Sequence, residues 1–123
     1  RDNPVFMAKF ADVAVDALAL EFTELRVKGA FEAGGNAGAL SSLSKVMGTE
    51  IGQRLSELSL ELMAEHALVK QLDALEPEFE GDIIGPECGL TTMAEYINGR
   101  ASTIYGGSAE IQRDIIAKRV LRL

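Results

Sequence analysis

Apolar residues recur every three or four positions along the first half of the chain, a spacing that places them on one face of an α-helix. The first such stripe consists of Phe6, Phe10, Val13, Ala17, Leu20, Val27 and Phe31. It predicts an amphipathic helix over residues 4–32, which begins at the capping residue Asn3 and at Pro4. The run Gly34-Gly35-Asn36 ends this helix, because such residues reach left-handed backbone angles at little cost. The three phenylalanines of the stripe are predicted core residues.

A second apolar stripe follows and predicts a helix over residues 39–68. Its members are Leu40, Leu43, Met47, Ile51, Leu55, Leu58 and Leu62. Since only a short turn separates the two helices, we expect an antiparallel αα-hairpin.

The rest of the chain predicts two shorter helices. Residues 70–90 contain two prolines, three glycines and many carboxylates, which is typical of a solvent-facing loop with at most a helical turn. Short helical patterns follow at residues 90–100 and 108–121, separated by a break at 104–108. No segment alternates with a period of two, so the predicted fold is an all-α, up-and-down helical bundle that occupies residues 1–123 as one domain.

Composition and charge narrow the function classes. The chain has 123 residues with 47% hydrophobic and 25% charged residues, a profile typical of one globular domain. The net charge of −7 argues against a general nucleic-acid binder and against an anionic membrane surface as partner. No apolar run approaches about 18 residues, so no membrane span is predicted. The single cysteine, Cys88, and the single histidine, His66, exclude an internal disulfide and predict no metal site.

Candidate chemistry lies near the carboxyl end. Gly106 and Gly107 precede Ser108, and the three residues open the last predicted helix. Unpaired backbone N–H groups and the positive end of the helix dipole attract anions at such a place. The glycines allow a ligand to approach the backbone closely, so the segment predicts contact with a nucleotide diphosphate. The alternative interpretation is a helix cap and a chain turn with no ligand.

This segment resembles the carboxyl-terminal signature of the acyl-CoA dehydrogenase family. The signature reads Ile-Tyr, a variable residue, Gly-Thr/Ser, two residues, Ile-Gln-Arg, and then a helix that ends Arg-Val/Leu-Leu. The matching positions here are Ile104, Tyr105, Gly107, Ser108, Ile111, Gln112, Arg113, Ile116, Ala117, Arg119, Val120 and Leu121. The resemblance covers only the last helical bundle of these longer enzymes, and we expect an amino-terminally truncated bundle that lacks most of its first helix.

The resemblance implies flavin chemistry. The family's enzymes hold FAD and oxidise an acyl-CoA to a 2,3-enoyl-CoA in fatty acid metabolism. It implies FAD contacts at Ser108, Ala109 and Glu110, and an acyl-CoA contact at Gly107. It also implies an electron-transfer flavoprotein or similar acceptor, and a homo- or hetero-oligomer. The implied location is the cytoplasm, or the mitochondrial matrix in a eukaryote.

Two departures from the family pattern bear on activity. Many family members carry the catalytic glutamate at the position of Gly106, which has no side chain to accept a proton. Glu110 is no substitute, because it lies four residues further on, where it would face the cofactor. No catalytic residue is therefore predicted here, and the base is expected on the bundle's first helix or in another subunit.

The second departure concerns a flavin-contacting Gln-x-x-Gly-Gly pattern, which corresponds to Glu61-Leu62-Met63-Ala64-Glu65. The amide and both glycines are replaced, so a contact with a neighbouring subunit's FAD is in doubt. The alternative function is a non-catalytic assembly module of a flavoprotein complex. We expect this chain alone to be inactive, and we expect its bare faces to drive association into a dimer or larger oligomer.

A third hypothesis is a serine hydrolase, because Ser42 and Lys45 match a Ser-x-x-Lys pattern and share a helix face. The Ser-Asp-Asn and Lys-Thr-Gly motifs that accompany this pattern do not occur in the sequence. An ordinary helix start with a solvated lysine explains the two residues.

Overall fold

A computed structural model describes residues 3–35 and 38–123 and contains no strand in those ranges. Its α-helices are α1 (Pro4–Glu32), α2 (Gly38–Met63), α3 (Thr92–Gly99) and α4 (Ala109–Ile116). Helix α2 lies at the centre, because α1, α3 and α4 all pack against it. The prediction of an all-α bundle is confirmed.

Helix α1 begins and ends where the sequence predicts. The Asn3 side chain accepts hydrogen bonds from the backbone N–H groups of Val5 and Phe6, both at 3.1 Å, and so caps the first turn. At the other end Gly34 takes a φ of +74°, a left-handed angle that closes the helix. Asn36, the last residue of the predicted stop signal, lies outside the described residues.

Helices α1 and α2 form the predicted antiparallel hairpin. Val13 of α1 packs with Ile51 and Leu58 of α2, and a ring of partly buried apolar side chains surrounds these three: Phe6, Leu20 and Met47. Two ion pairs flank this core, Lys9–Glu61 at 2.7 Å and Asp16–Arg54. The earlier α1 residue, Lys9, pairs with the later α2 residue, Glu61. The later α1 residue, Asp16, pairs with the earlier α2 residue, so the two helices run antiparallel.

The predicted burial of the phenylalanine stripe is wrong for two of its three members. Phe6 is partly buried, but Phe10 is 47% exposed and Phe31 is 77% exposed. The reason is that α2 covers a narrow strip of α1, and neither ring lies within it. Other large apolar side chains of α1, such as Leu18 and Phe22, are exposed too.

The second helix is shorter than predicted, because α2 stops at Met63 instead of continuing to residue 68. Ala64 takes a left-handed φ of +47°, and a 3₁₀ turn over Ala64–Leu68 follows. The last helix also differs. Its regular part is α4, and a π-helical turn over Ala117–Leu121 continues it.

The acidic segment 70–90 is irregular, as predicted, with short 3₁₀ turns at Asp73–Leu75 and Glu87–Gly89. Among the helices of the described ranges, none is both long enough and apolar enough to cross a membrane.

Candidate functional site

The turn between α3 and α4 contains the three residues Gly106, Gly107 and Ser108, which we call the glycine corner. A 3₁₀ turn over Arg100–Thr103 precedes it. Gly106 and Gly107 take φ values of +68° and +88°, a region that glycine occupies without the steric penalty of a β-carbon. The chain can therefore reverse sharply here and begin α4 at once.

Ser108 caps α4 as its sequence position predicts. Its backbone is extended, and its hydroxyl oxygen accepts a hydrogen bond from the backbone N–H of Ile111 at 3.4 Å. Its carbonyl oxygen accepts from the backbone N–H of Gln112 at 3.0 Å. The amino end of α4 is thus fixed in orientation relative to the two glycines.

The backbone donors of the glycine corner are open. Within the described part of the chain, the N–H groups of Gly106, Gly107 and Ser108 form no hydrogen bond of normal length and angle. Gly106 is exposed, while Gly107 and Ser108 are half-buried. A β-carbon built on Gly106 would meet no atom within 4 Å. A ligand from solvent can therefore reach these donors.

One side of the glycine corner is covered by Gln112. A β-carbon at Gly107 would lie 2.4 Å from Gln112 Nε2, closer than any real contact. Position 107 therefore favours glycine for its φ angle, and a β-carbon there would also displace the Gln112 amide.

Glu110 places a negative charge in the first turn of α4. Its side chain is exposed, and its carboxylate accepts hydrogen bonds from its own backbone N–H and from the Ser108 hydroxyl. These bonds, with smaller contributions from the charges of Arg113 and Lys45, hold the pKa of Glu110 below its ordinary value. An incoming anion would therefore compete with this carboxylate for the Ser108 hydroxyl.

Ala109, another predicted FAD contact, is buried, with 6% of its surface exposed. Its methyl group packs inside the fold, so only its backbone could face a ligand. Of the four predicted contact residues, Gly107, Ser108 and Glu110 lie together at the surface and Ala109 lies beneath them.

Two contacts with α2 hold this region in place. Arg113 Nη2 lies 2.5 Å from Glu50 Oε1 on α2. Lys45 Nζ, also on α2, donates to the carbonyl oxygen of Ser102 at 3.0 Å. The glycine corner is therefore anchored on both sides.

The same contact argues against a serine hydrolase. Lys45 is engaged with Ser102, and the Ser42 hydroxyl donates to the carbonyl oxygen of Gly38 at 3.3 Å. Ser42 is also only 5% exposed. The two side chains form no hydrogen bond with each other, so the geometry provides no activated nucleophile.

The residues Met63-Ala64-Glu65, at the end of α2, form a second corner, which we call the α2 corner. Ala64 has the left-handed φ noted above, although alanine carries a β-carbon. Just before this corner, the carboxylate of Glu61 is paired with Lys9 of α1. The α2 corner thus retains a backbone that favours glycine, but it offers no side-chain amide.

Sequence reasoning missed Arg100, which holds the segment before the glycine corner. Its guanidinium donates to the carbonyl oxygen of Gln53 at 3.1 Å, to the Ser56 hydroxyl at 3.0 Å and to Glu57 at 2.9 Å. The guanidinium carbon lies 4.5 Å from the ring centroid of Tyr96. The four-residue spacing of Tyr96 and Arg100 was the available signal, because such residues share a helix face.

Within residues 3–35 and 38–123, no three His, Cys, Asp or Glu side chains lie close enough together to hold a metal ion. Cys88 is a free, exposed thiol.

The sequence was compared with protein-family models, curated proteins and solved structures. The family model described as "Acyl-CoA dehydrogenase, C-terminal domain" matches residues 1–121. The searches of curated proteins and of solved structures gave no significant match.

Proposed function

Because the chain belongs to the acyl-CoA dehydrogenase C-terminal domain family, we propose that it is the FAD-binding and subunit-assembly part of an enzyme that oxidises an acyl-CoA to a 2,3-enoyl-CoA. The observation that carries the proposal is the set of free N–H donors at residues 106–108, beside the positive end of α4. Such a group suits a diphosphate, because unpaired backbone N–H groups at the amino end of a helix attract anions.

Each residue of the glycine corner would contact a different part of the ligands. The backbone of the glycine corner and of Ala109 would face the diphosphate of FAD, with the Ser108 hydroxyl as a further donor. Gly107, which has no side chain, would lie against the acyl-CoA. Glu110 would move its carboxylate away from the helix end when the diphosphate arrives, since two anions cannot share those donors.

When bound, FAD supplies the acceptor for the hydride that leaves the β-carbon of the acyl chain. The proton at the α-carbon needs a base, and Gly106 has none to offer. The backbone at Gly106 is open to solvent, so the base would reach the substrate from a different segment or from another subunit. An electron-transfer flavoprotein or a similar acceptor would then reoxidise the flavin.

The alternative is a non-catalytic assembly module of a flavoprotein complex. Two observations favour it, the missing side chain at Gly106 and the loss of the amide and glycines at residues 61–65. An assay of the protein expressed from its complete gene, with acyl-CoA, a dye acceptor and candidate partner subunits, separates the two. Turnover supports the enzyme, and its absence with every partner supports the module. The 123-residue chain alone is expected to show no turnover.

Cofactor binding is tested first by absorbance. Protein expressed from the complete gene is expected to purify yellow, with a flavin spectrum. A colourless protein that FAD neither binds nor stabilises would contradict the proposal.

The contribution of the glycine corner is tested by calorimetric titration of the same protein, after its flavin has been removed, with FAD, ADP and riboflavin. We expect FAD and ADP to compete and riboflavin, which lacks the diphosphate, to bind much more weakly. Glu110→Gln should raise the affinity for ADP several-fold, because it removes the competing carboxylate. The matched control is Glu21→Gln, an exposed α1 glutamate outside every ion pair of the described ranges. Equal binding of riboflavin and FAD would show that the diphosphate contributes nothing.

A further inference from the structure

A loop in the segment after α2 is closed by two hydrogen bonds from one side chain. The side chain of Gln71 donates to the carbonyl oxygen of Ile84 at 3.0 Å and accepts from its backbone N–H at 2.7 Å. This pair of hydrogen bonds closes residues 71–84 into an Ω-loop with a fixed shape. The loop is therefore a preformed surface and not a free tether.

An apolar groove of about 310 Å³ runs between this loop and α3, and we call it the loop groove. Five large apolar side chains line it while remaining exposed: Leu68 at 73%, Val69 at 37%, Leu72 at 57%, Leu75 at 50% and Ile97 at 62%. Contiguous exposed apolar surface of this kind usually marks an interaction site.

The surroundings of the loop groove are strongly acidic. Asp73 and Glu76 directly follow the lining residues Leu72 and Leu75 in the sequence, and both are exposed. Lys70 is the only basic side chain of the sequence between residues 67 and 99, and in the described ranges no carboxylate of segment 73–87 forms an ion pair. A partner for this groove must therefore combine apolar side chains with positive charge.

The last six residues of the sequence, Lys-Arg-Val-Leu-Arg-Leu at 118–123, have this chemistry. Val120, Leu121 and Leu123 are 50%, 61% and 87% exposed. Arg119 and Arg122 take part in no ion pair within the described residues. In the same copy the groove is lined only by residues between 67 and 97, so its own basic segment does not fill it.

We propose that residues 118–123 of a second copy of this chain dock in the loop groove. The apolar side chains of the segment cover Leu68, Leu72 and Ile97, while Arg119 and Arg122 face Asp73 and Glu76. If each copy inserts its segment into the other, the two contacts are identical and the assembly closes as a dimer. A second copy is favoured over another basic protein because both complementary surfaces lie on this one chain. The inference does not depend on flavin binding.

The test is a charge exchange followed by sedimentation equilibrium on the 123-residue chain. The double variant Arg119→Glu with Arg122→Glu reverses the charge of the segment. The double variant Asp73→Lys with Glu76→Lys reverses the charge beside the groove. We expect each double variant to raise the dimer dissociation constant at least about tenfold. An equimolar mixture of the two variants should form a heterodimer near the wild-type affinity, because the opposite charges meet again.

The matched control reverses two cations of α1, Arg26→Glu with Lys28→Glu, with the same change in net charge. It should leave the dimer intact. Added salt should weaken the wild-type dimer, a measurement that needs no variant.

Three results would overturn the proposal. A wild-type chain that remains monomeric would leave the groove to a different basic partner. A dimer that the control breaks and the two exchange variants do not would place the interface on the exposed face of α1. Exchange variants that keep their helical circular dichroism but fail to pair in the mixture would exclude the proposed contact.

Discussion

The glycine corner and the α2 corner make the same kind of turn with different residues. Both follow a helical segment, and both need a left-handed backbone angle. The glycine corner uses Gly106 and Gly107, whereas the α2 corner places Ala64 at a φ of +47°. An L-residue with a β-carbon costs about 1–2 kcal/mol in this conformation, and glycine avoids that cost.

This difference separates what each corner can do. The glycine corner retains both glycines and leaves three N–H donors open, so it keeps the features that a diphosphate needs. The α2 corner retains only the path of the chain, and the nearby Glu61 is bound to Lys9. The same kind of turn can thus be built with or without residues suited to a ligand.

The largest effect is expected from Gly107→Ala, because the new β-carbon would be strained by its φ angle and would displace Gln112. We expect a loss of about 1–3 kcal/mol in the free energy of unfolding, measured by urea denaturation. The control is Gly29→Ala in α1, where a β-carbon has open space and helix propensity favours alanine. It should stabilise the protein, and equal losses in both variants would contradict the argument.

Gly106→Glu tests the neighbouring position, where there is strain without a clash. The side chain has open space, so the loss should be limited to about 1–2 kcal/mol for the left-handed angle. The same urea series measures it. A loss larger than that of Gly107→Ala would show that the surroundings of Gly106 are tighter than the structure has them.

At the α2 corner we expect a substitution to increase the free energy of unfolding instead of lowering it. Ala64→Gly removes the strain of the β-carbon and should stabilise the fold by about 0.5–1 kcal/mol, even though glycine loses more backbone entropy on folding. Ala19→Gly in the middle of α1 is the matched control and should destabilise by about the same amount. If both variants lose stability, Ala64 is not strained.

The sequence predicts the hairpin well because α1 and α2 bury one stripe each, and a stripe is visible as a period. It cannot show how many neighbours a helix has, so Phe10 and Phe31 were wrongly placed in the core. It also cannot show that Ala64 ends α2, because alanine is the best helix former and the left-handed angle arises from the folded surroundings.

The candidate site also has features that the sequence predicts and features that only the folded structure shows. The open glycine corner was predictable, because two glycines before a serine have a local backbone meaning. The burial of Ala109 and the support from Arg100 arise from packing against α2, which no local motif encodes. Likewise, only the side-chain conformation of Glu110 shows that its carboxylate folds back onto the helix end.

That carboxylate gives the smallest expected effect, a pH dependence. Its hydrogen bonds hold the pKa of Glu110 below the ordinary value, so the folded state favours the ionised form. The stability it contributes is present above the unfolded pKa and is lost as the pH falls through the lower pKa of the folded state. Glu110→Gln should therefore unfold at a slightly lower urea concentration than the wild type at neutral pH, and the difference should shrink in acid. Because the group is exposed, the gap should also narrow with added salt. A gap that widens as the pH falls would mean that the carboxylate is held in its neutral form, and the competition expected between Glu110 and a diphosphate would then have no basis.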